Sequence, residues 1–229
     1  MESLPIKLLE NLNALAGGLF LLCAFGMVAT RQVRGCLHFF IAQALFLAMS
    51  AFILGALLHS WDVLAVGVIN VITKPFLIPW VLQRNVRGEM YSRREIDQLL
   101  NIPTSLLIAL ALAIAACFLA LPLLRAAGGG GFAAVNLPIG LAGLLLGAYT
   151  ACVRRQAVPL LLGLLAMENS AFFAGIAIAP ALPFLAEVAV TFDVLMLSFI
   201  VGLLTRTIHE HIGTTEVGAL TTLQEQPQP

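Results

Sequence analysis

The chain has 229 residues, of which 60% are hydrophobic and only 10% charged, and its formal net charge is zero. A soluble domain carries about 25% charged residues, so the composition excludes a conventional water-facing surface and points to a membrane protein. Zero net charge also removes any electrostatic case for nucleic-acid binding.

The first residues do not read as a signal peptide, because Glu2 and Glu10 interrupt the approach to the first apolar stretch. A bilayer core needs about 20 apolar residues per helix. Seven stretches qualify, near 11–30, 36–58, 61–82, 103–124, 134–152, 157–179 and 184–205. Prolines mark several boundaries: Pro103, Pro159 and Pro183 near starts, Pro122 and Pro180 near ends. Strands are excluded, because the runs do not alternate and are about twice the length a barrel strand needs. The expected fold is therefore all-α: a polytopic membrane protein of about seven transmembrane helices, forming one domain over 1–206 with a cytoplasmic tail at 207–229.

Lys and Arg set the expected orientation. Arg31 and Arg34 follow the first span; Arg84, Arg87, Arg93 and Arg94 follow the third; Arg154 and Arg155 follow the fifth; Arg206 follows the seventh. The other side has only Lys7 and Arg125. This places the N-terminus outside and the C-terminus in the cytoplasm. The GGGG run ending at Gly131 lacks the following Lys-Ser/Thr of a phosphate-binding loop and reads as a flexible outer connector. The inner segment 83–101 mixes both charge signs and is long enough to dock a soluble subunit.

Three ionisable residues interrupt the spans: Lys74, Glu168 and Asp193. A charge at a helix centre costs about 2.5–3.5 kcal/mol on insertion scales, and such residues are functional by default. Counting back from the hairpin turns at Pro180–Pro183 and His59–Ser60 puts Glu168, Asp193, Lys74 and Gln43 at roughly 17–25 Å from the outer side. They are expected to form one layer near mid-membrane, with Asn70, Asn169, Glu187 and Asp62 as supporting polar residues. Glu168, Ala171, Gly175 and Ala179 share a stripe whose small residues would admit another helix. Pro75 and Pro79 cannot donate to the carbonyls of Val71 and Pro75, so the third span should break beside Lys74. A broken helix at membrane depth is tolerated where it lines a protected or wet cavity. Burial shifts ionisable groups toward their neutral forms, and a chain of them across the interior is what a proton relay needs.

No catalytic constellation accompanies these residues. Cys23, Cys36, Cys117 and Cys152 form no CxxC or Cys/His cluster, which argues against an iron–sulfur or zinc site in this chain. His209 and His211 lack the i, i+4 spacing of a helical zinc pair and read as a solvated helix end.

The halves 11–82 and 134–206 match weakly. Gln43 corresponds to Glu168 and Asn70 approximately to Asp193, at an offset near 123–125, with a linking helix at 103–124. This suggests a parallel 3+1+3 repeat of a three-helix unit.

The stretch Ile72-Thr-Lys-Pro-Phe-Leu-Ile-Pro79, the segment Ala166-Met-Glu-Asn-Ser170 and the last span from Thr191-Phe-Asp193 resemble component E of hydrogenase-4. The tail from Gly213 to Leu223 is similar to that family's ending. Spans five to seven also resemble the K subunit of respiratory complex I and the C subunit of Mrp antiporters. The resemblance implies a non-catalytic membrane subunit of a formate hydrogenlyase-type, complex I-like assembly. It would sit between an antiporter-like membrane subunit and the subunit anchoring the redox arm. Iron–sulfur clusters and a nickel–iron centre would reside on hydrogenase-like large and small subunits. Glu168 and Asp193 would take the carboxylate roles in proton or Na⁺ translocation, with Lys74 setting their field. The first half departs from the pattern, having Gln43 and Lys74 where acids are expected. Readings of other classes are a stand-alone secondary transporter, for which the broken third span argues, a haem-b anchor using His38 and His59, and a purely structural membrane spacer.

Overall fold

The computed structural model describes residues 3–80, 100–126 and 131–178, and Gly202. Among these, every element is helical: α1 (Ser3–Ala29), α2 (Val33–Leu58), α3 (Trp61–Ile72), α4 (Ile102–Ala126), α5 (Phe132–Val153) and α6 (Ala157–Ile178). A π turn, Thr73–Leu77, extends α3, and helix resumes through Trp80. Six spans are long and apolar enough to cross a bilayer, and they make this a membrane-embedded helical protein. The seventh expected span, 184–205, lies outside the described residues.

Four helices form the centre. α1 packs on α2 and α5, α2 on α6, and α5 most intimately on α6. α3 lies outside α2, and α4 lies against α5 and α1. The outer helices turn large apolar side chains away from the protein. On α4 these include Leu107, Leu110, Ile114, Phe118 and Leu121; on α3 they are Trp61, Val68, Ile72, Phe76 and Trp80. Such a surface is stable only against lipid or another apolar partner. Trp61 and Trp80 are separated by about 28 Å of helical rise, close to the hydrocarbon thickness, and Trp is a residue type enriched at membrane interfaces.

The α5–α6 pair is close because glycines remove the Cβ layer between the backbones. A Cβ on Gly147 would stand 2.7 Å from the Met167 backbone nitrogen, and one on Gly140 2.7 Å from that of Ala174. From α6, a Cβ on Gly163 would stand 2.7 Å from the Ala151 nitrogen. The expected small-residue stripe falls on a different face. Ala171 and Gly175 are exposed, and a Cβ on Gly175 would meet nothing within 4 Å among the described residues, outside which Ala179 lies. The helix approaches its neighbour through Gly163, Ser170 and Ala174 instead.

α1 and α5 run parallel and in register. Near one end Asn13 Nδ2 donates to Asn136 Oδ1 at 2.7 Å. At the other, Arg154 Nη2 donates to the carbonyls of Met27, Val28 and Thr30 at 2.7, 3.2 and 2.8 Å. A helix leaves its last carbonyls without intrahelical donors; here an arginine from another helix supplies them. α2 ends differently: His59 takes φ 51°, and the amides of His59 and Ser60 both return to the Gly55 carbonyl. This left-handed cap usually needs glycine.

Candidate functional site

The third span is helical without interruption from Trp61 to Trp80, but it departs from α geometry at Pro75. Pro75 has no amide proton, so one α-helical bond is lost beside Lys74. The chain accommodates this with a π turn over Thr73–Leu77, closed by the Ile78 amide donating to the Thr73 carbonyl. Thr73 Oγ1 donates to the Ile69 carbonyl at 2.8 Å, which also accepts the Thr73 amide. The sequence leads to a kink at this position; the structure shows a widened π turn there. Both Pro75 and Pro79 are buried.

Lys74 lies inside this π turn with its side chain only 1% exposed, and Nζ stands 2.8 Å from Glu168 Oε1 on α6. The Glu168 side chain is 11% exposed. Nζ also lies 5.2 Å from the centroid of the Phe172 ring, one turn along α6 from Glu168. In a desolvated setting a ring face adds to the stabilisation of the ammonium. The two charges that hairpin counting places at similar depth are thus in direct contact.

The surroundings are layered. One apolar cluster holds Phe40 of α2, Ile78 beyond the π turn, and Leu165 and Ala166 of α6. Another holds Leu47 of α2, Val63 of α3 and Phe173 of α6, the last stacked on Phe20 with ring centroids 4.5 Å apart. On each helix the polar residues fall between the two clusters: Gln43 on α2, Asn70 and Lys74 on the third span, Glu168 and Asn169 on α6. Gln43, Asn70 and Asn169 are fully buried. Both amide atoms of Gln43 and of Asn169, with Oδ1 of Asn70 and Oε2 of Glu168, have no hydrogen-bond partner among the described residues. Each unsatisfied buried group costs about 1–3 kcal/mol, so this layer is held at a cost that apolar side chains would avoid.

A second polar group was not anticipated from sequence. Asn13 of α1, Ser50 of α2 and Asn136 of α5 close a ring of hydrogen bonds. Asn13 donates to Asn136 at 2.7 Å, Asn136 donates to Ser50 Oγ at 3.2 Å, and Ser50 donates to Asn13 Oδ1 at 2.6 Å. Each member gives one bond and accepts one, so the ring ties three helices together. Its signal in the sequence is the separation of Asn13 and Asn136 by 123 residues, within the offset range of the repeat.

Arg154 also differs from expectation. It reads as a loop arginine, yet it is only 4% exposed. Burial pushes its guanidinium below its ordinary pKa, while nearby Cys36 and Tyr149 act in the opposite direction. Asp62 is exposed in the first turn of α3, where an acid suits the helix dipole, and is not part of the mid-membrane layer. Asp193 and Glu187 lie outside the described residues. Among the described residues, no group of three or more His, Cys, Asp and Glu could hold a metal ion.

No family model and no solved structure matches the chain. The chain is 26% identical to the uncharacterized protein Rv0085 of Mycobacterium tuberculosis, over 92% of its own length and 94% of that protein's.

Proposed function

We propose that this chain is a non-catalytic inner-membrane subunit of an energy-converting, complex I-like assembly of the formate hydrogenlyase type, and that its mid-membrane polar layer belongs to a proton or Na⁺ pathway. The observation that carries this reading is the buried Lys74–Glu168 pair, 2.8 Å apart within a π turn. π turns interrupt helices most often at functional sites. A charge pair in the membrane interior is costly, and replacing such a pair with apolar residues is often neutral or stabilising. Its retention, beside amides without partners among the described residues, fits a group that changes partners during a cycle.

In this reading Glu168 alternates between carboxylate, held by Lys74, and carboxylic acid, which releases it. Asp193 is the next acid in the path, and Gln43, Asn70 and Asn169 carry protons between them through water. The parallel register of α1 and α5 supports the repeat, with α4 as its linking helix. The resemblance to hydrogenase-4 component E supplies the expected partners: antiporter-like membrane subunits, an anchor subunit, and hydrogenase-like subunits carrying the redox centres. The test is Glu168→Gln in the assembled complex in sealed vesicles. Redox-driven pumping is expected to stop in the fraction that assembles, while its redox turnover persists; wild-type pumping would sink the relay role. Mild-detergent purification tests the assembly itself. Recovery of the chain alone, with substrate uptake in liposomes, would favour a stand-alone transporter.

A further inference from the structure

Two faces of α6 are set by pairs of residues one turn apart. Asn169 and Phe173 are fully buried, and Phe173 stacks on Phe20 of α1. That stack fixes the rotation of α6. Glu168 and Phe172 each precede one of these residues by one position, about 100° around the helix, and both meet Lys74 of the third span. Lys74 Nζ stands 2.8 Å from Glu168 Oε1 and 5.2 Å from the centre of the Phe172 ring, over its face. The second distance lies inside the roughly 6 Å within which a ring quadrupole attracts a cation.

Four residues of α6 rise about 6 Å, so the carboxylate and the ring are adjacent seats for one ammonium. The flexible lysine stem passes between them without a backbone shift. The two seats suit different states of Glu168. An ionised carboxylate draws the ammonium more strongly than a ring does. Once Glu168 takes a proton that attraction falls away, and a charge in an apolar interior needs another partner. The ring face does not change with protonation. Phe172 is partly buried against the apolar cluster of Leu47, Val63 and Phe173, which holds the ring in place. An aliphatic side chain there would fill the space without attracting a cation.

We propose that Phe172 is a positioning residue of the mid-membrane site: its ring face seats the Lys74 ammonium while Glu168 is neutral and gives it back when the carboxylate re-forms. The proton that Glu168 gains or loses comes from and goes to the pathway, and none leaves Lys74. This rests on the reading that Glu168 changes protonation.

The chain has two lysines, Lys7 and Lys74, so isotope-labelled lysine gives two sets of NMR signals from the full chain in detergent. Lys7 is exposed on α1 and serves as the reference. Glu168→Gln imitates the neutral acid. In that variant the Lys74 ε-methylene protons should move upfield from their wild-type position, as ring current above an aromatic face requires, while Nζ keeps the shift of an ammonium. Adding Phe172→Leu should abolish the displacement. Adding Phe172→Trp instead should preserve it, because indole is the best ring partner for a cation. The proposal is overturned if Lys74 in Glu168→Gln does not move upfield, if its Nζ becomes that of a neutral amine, or if Phe172→Leu leaves the displacement intact. Should the Phe172 variants not fold, the Glu168→Gln spectrum against wild type decides alone. The spectra do not depend on pumping. Normal pumping by Glu168→Gln would remove the relay while leaving the ring seat measured, and an unmoved Lys74 would remove the ring seat while leaving the relay.

Discussion

At the scale of single residues, Lys74 and Glu168 are tied to each other more tightly than either is to its helix. Removing one partner leaves a charge in an apolar interior, which costs about 3–5 kcal/mol, whereas removing both releases the desolvation cost. Lys74→Met alone should therefore destabilise the protein by about that amount in a reversible denaturant titration. Adding Glu168→Gln to it should recover most of the loss, because the remaining amide carries no charge. Additive losses in the double variant would show that the two groups are not coupled. The Asn13–Ser50–Asn136 ring is the opposite case. Its members are neutral and satisfied, so it acts as a clamp between helices and has no charge to exchange.

At the scale of elements, the two prominent departures from regular helix packing have local causes. The π turn follows from Pro75, which removes a donor where Lys74 must reach α6. The close α5–α6 crossing follows from Gly140, Gly147 and Gly163, where any Cβ would fall within 2.7 Å of the facing backbone or side chain. These two kinds of glycine position predict opposite outcomes. Gly147→Ala forces the helices apart, and overpacking of this kind costs about 1–3 kcal/mol. Gly175→Ala meets no neighbour among the described residues and should change stability by less than about 0.5 kcal/mol, as surface substitutions usually do. Thermal unfolding of the two variants in one detergent checks this, and equal losses would mean that α5 and α6 do not cross at Gly147. The sequence drew attention to Gly175 because it shares a stripe with Glu168. The face α6 uses was instead encoded on its partner, where Gly140, Gly143 and Gly147 recur at spacings of three and four.

At the scale of the whole molecule, what was legible in the sequence was what the bilayer dictates. Runs of about 20 apolar residues gave six described spans, and hairpin counting gave the common depth of Lys74 and Glu168. Neutral polar residues such as Ser50 and Asn136 were not legible, because one amide or hydroxyl in a helix is inexpensive once it finds a partner, and partners come from distant segments. Arg154 was hidden for a related reason: charge counting assigns it to a side of the membrane but does not reveal that it turns inward to cap α1. That side of the membrane remains an inference from Lys and Arg distribution, and a native thiol can test it. Cys152 is exposed in the last turn of α5, beside Arg154 and Arg155, whereas Cys23 and Cys36 are buried. Cys117 is exposed too, but lies roughly 14 Å from the nearer end of α4 by helical rise, in hydrocarbon that an aqueous reagent does not enter. A membrane-impermeant maleimide should therefore modify Cys152, in inside-out vesicles and not in right-side-out ones. The converse pattern would invert the protein, moving the Asn13 ring to the cytoplasmic half and the Arg154 cap to the outer one. The mid-membrane ion pair would keep its depth in either case, so the proton-pathway reading does not depend on the result, whereas the direction in which its acids load and release does.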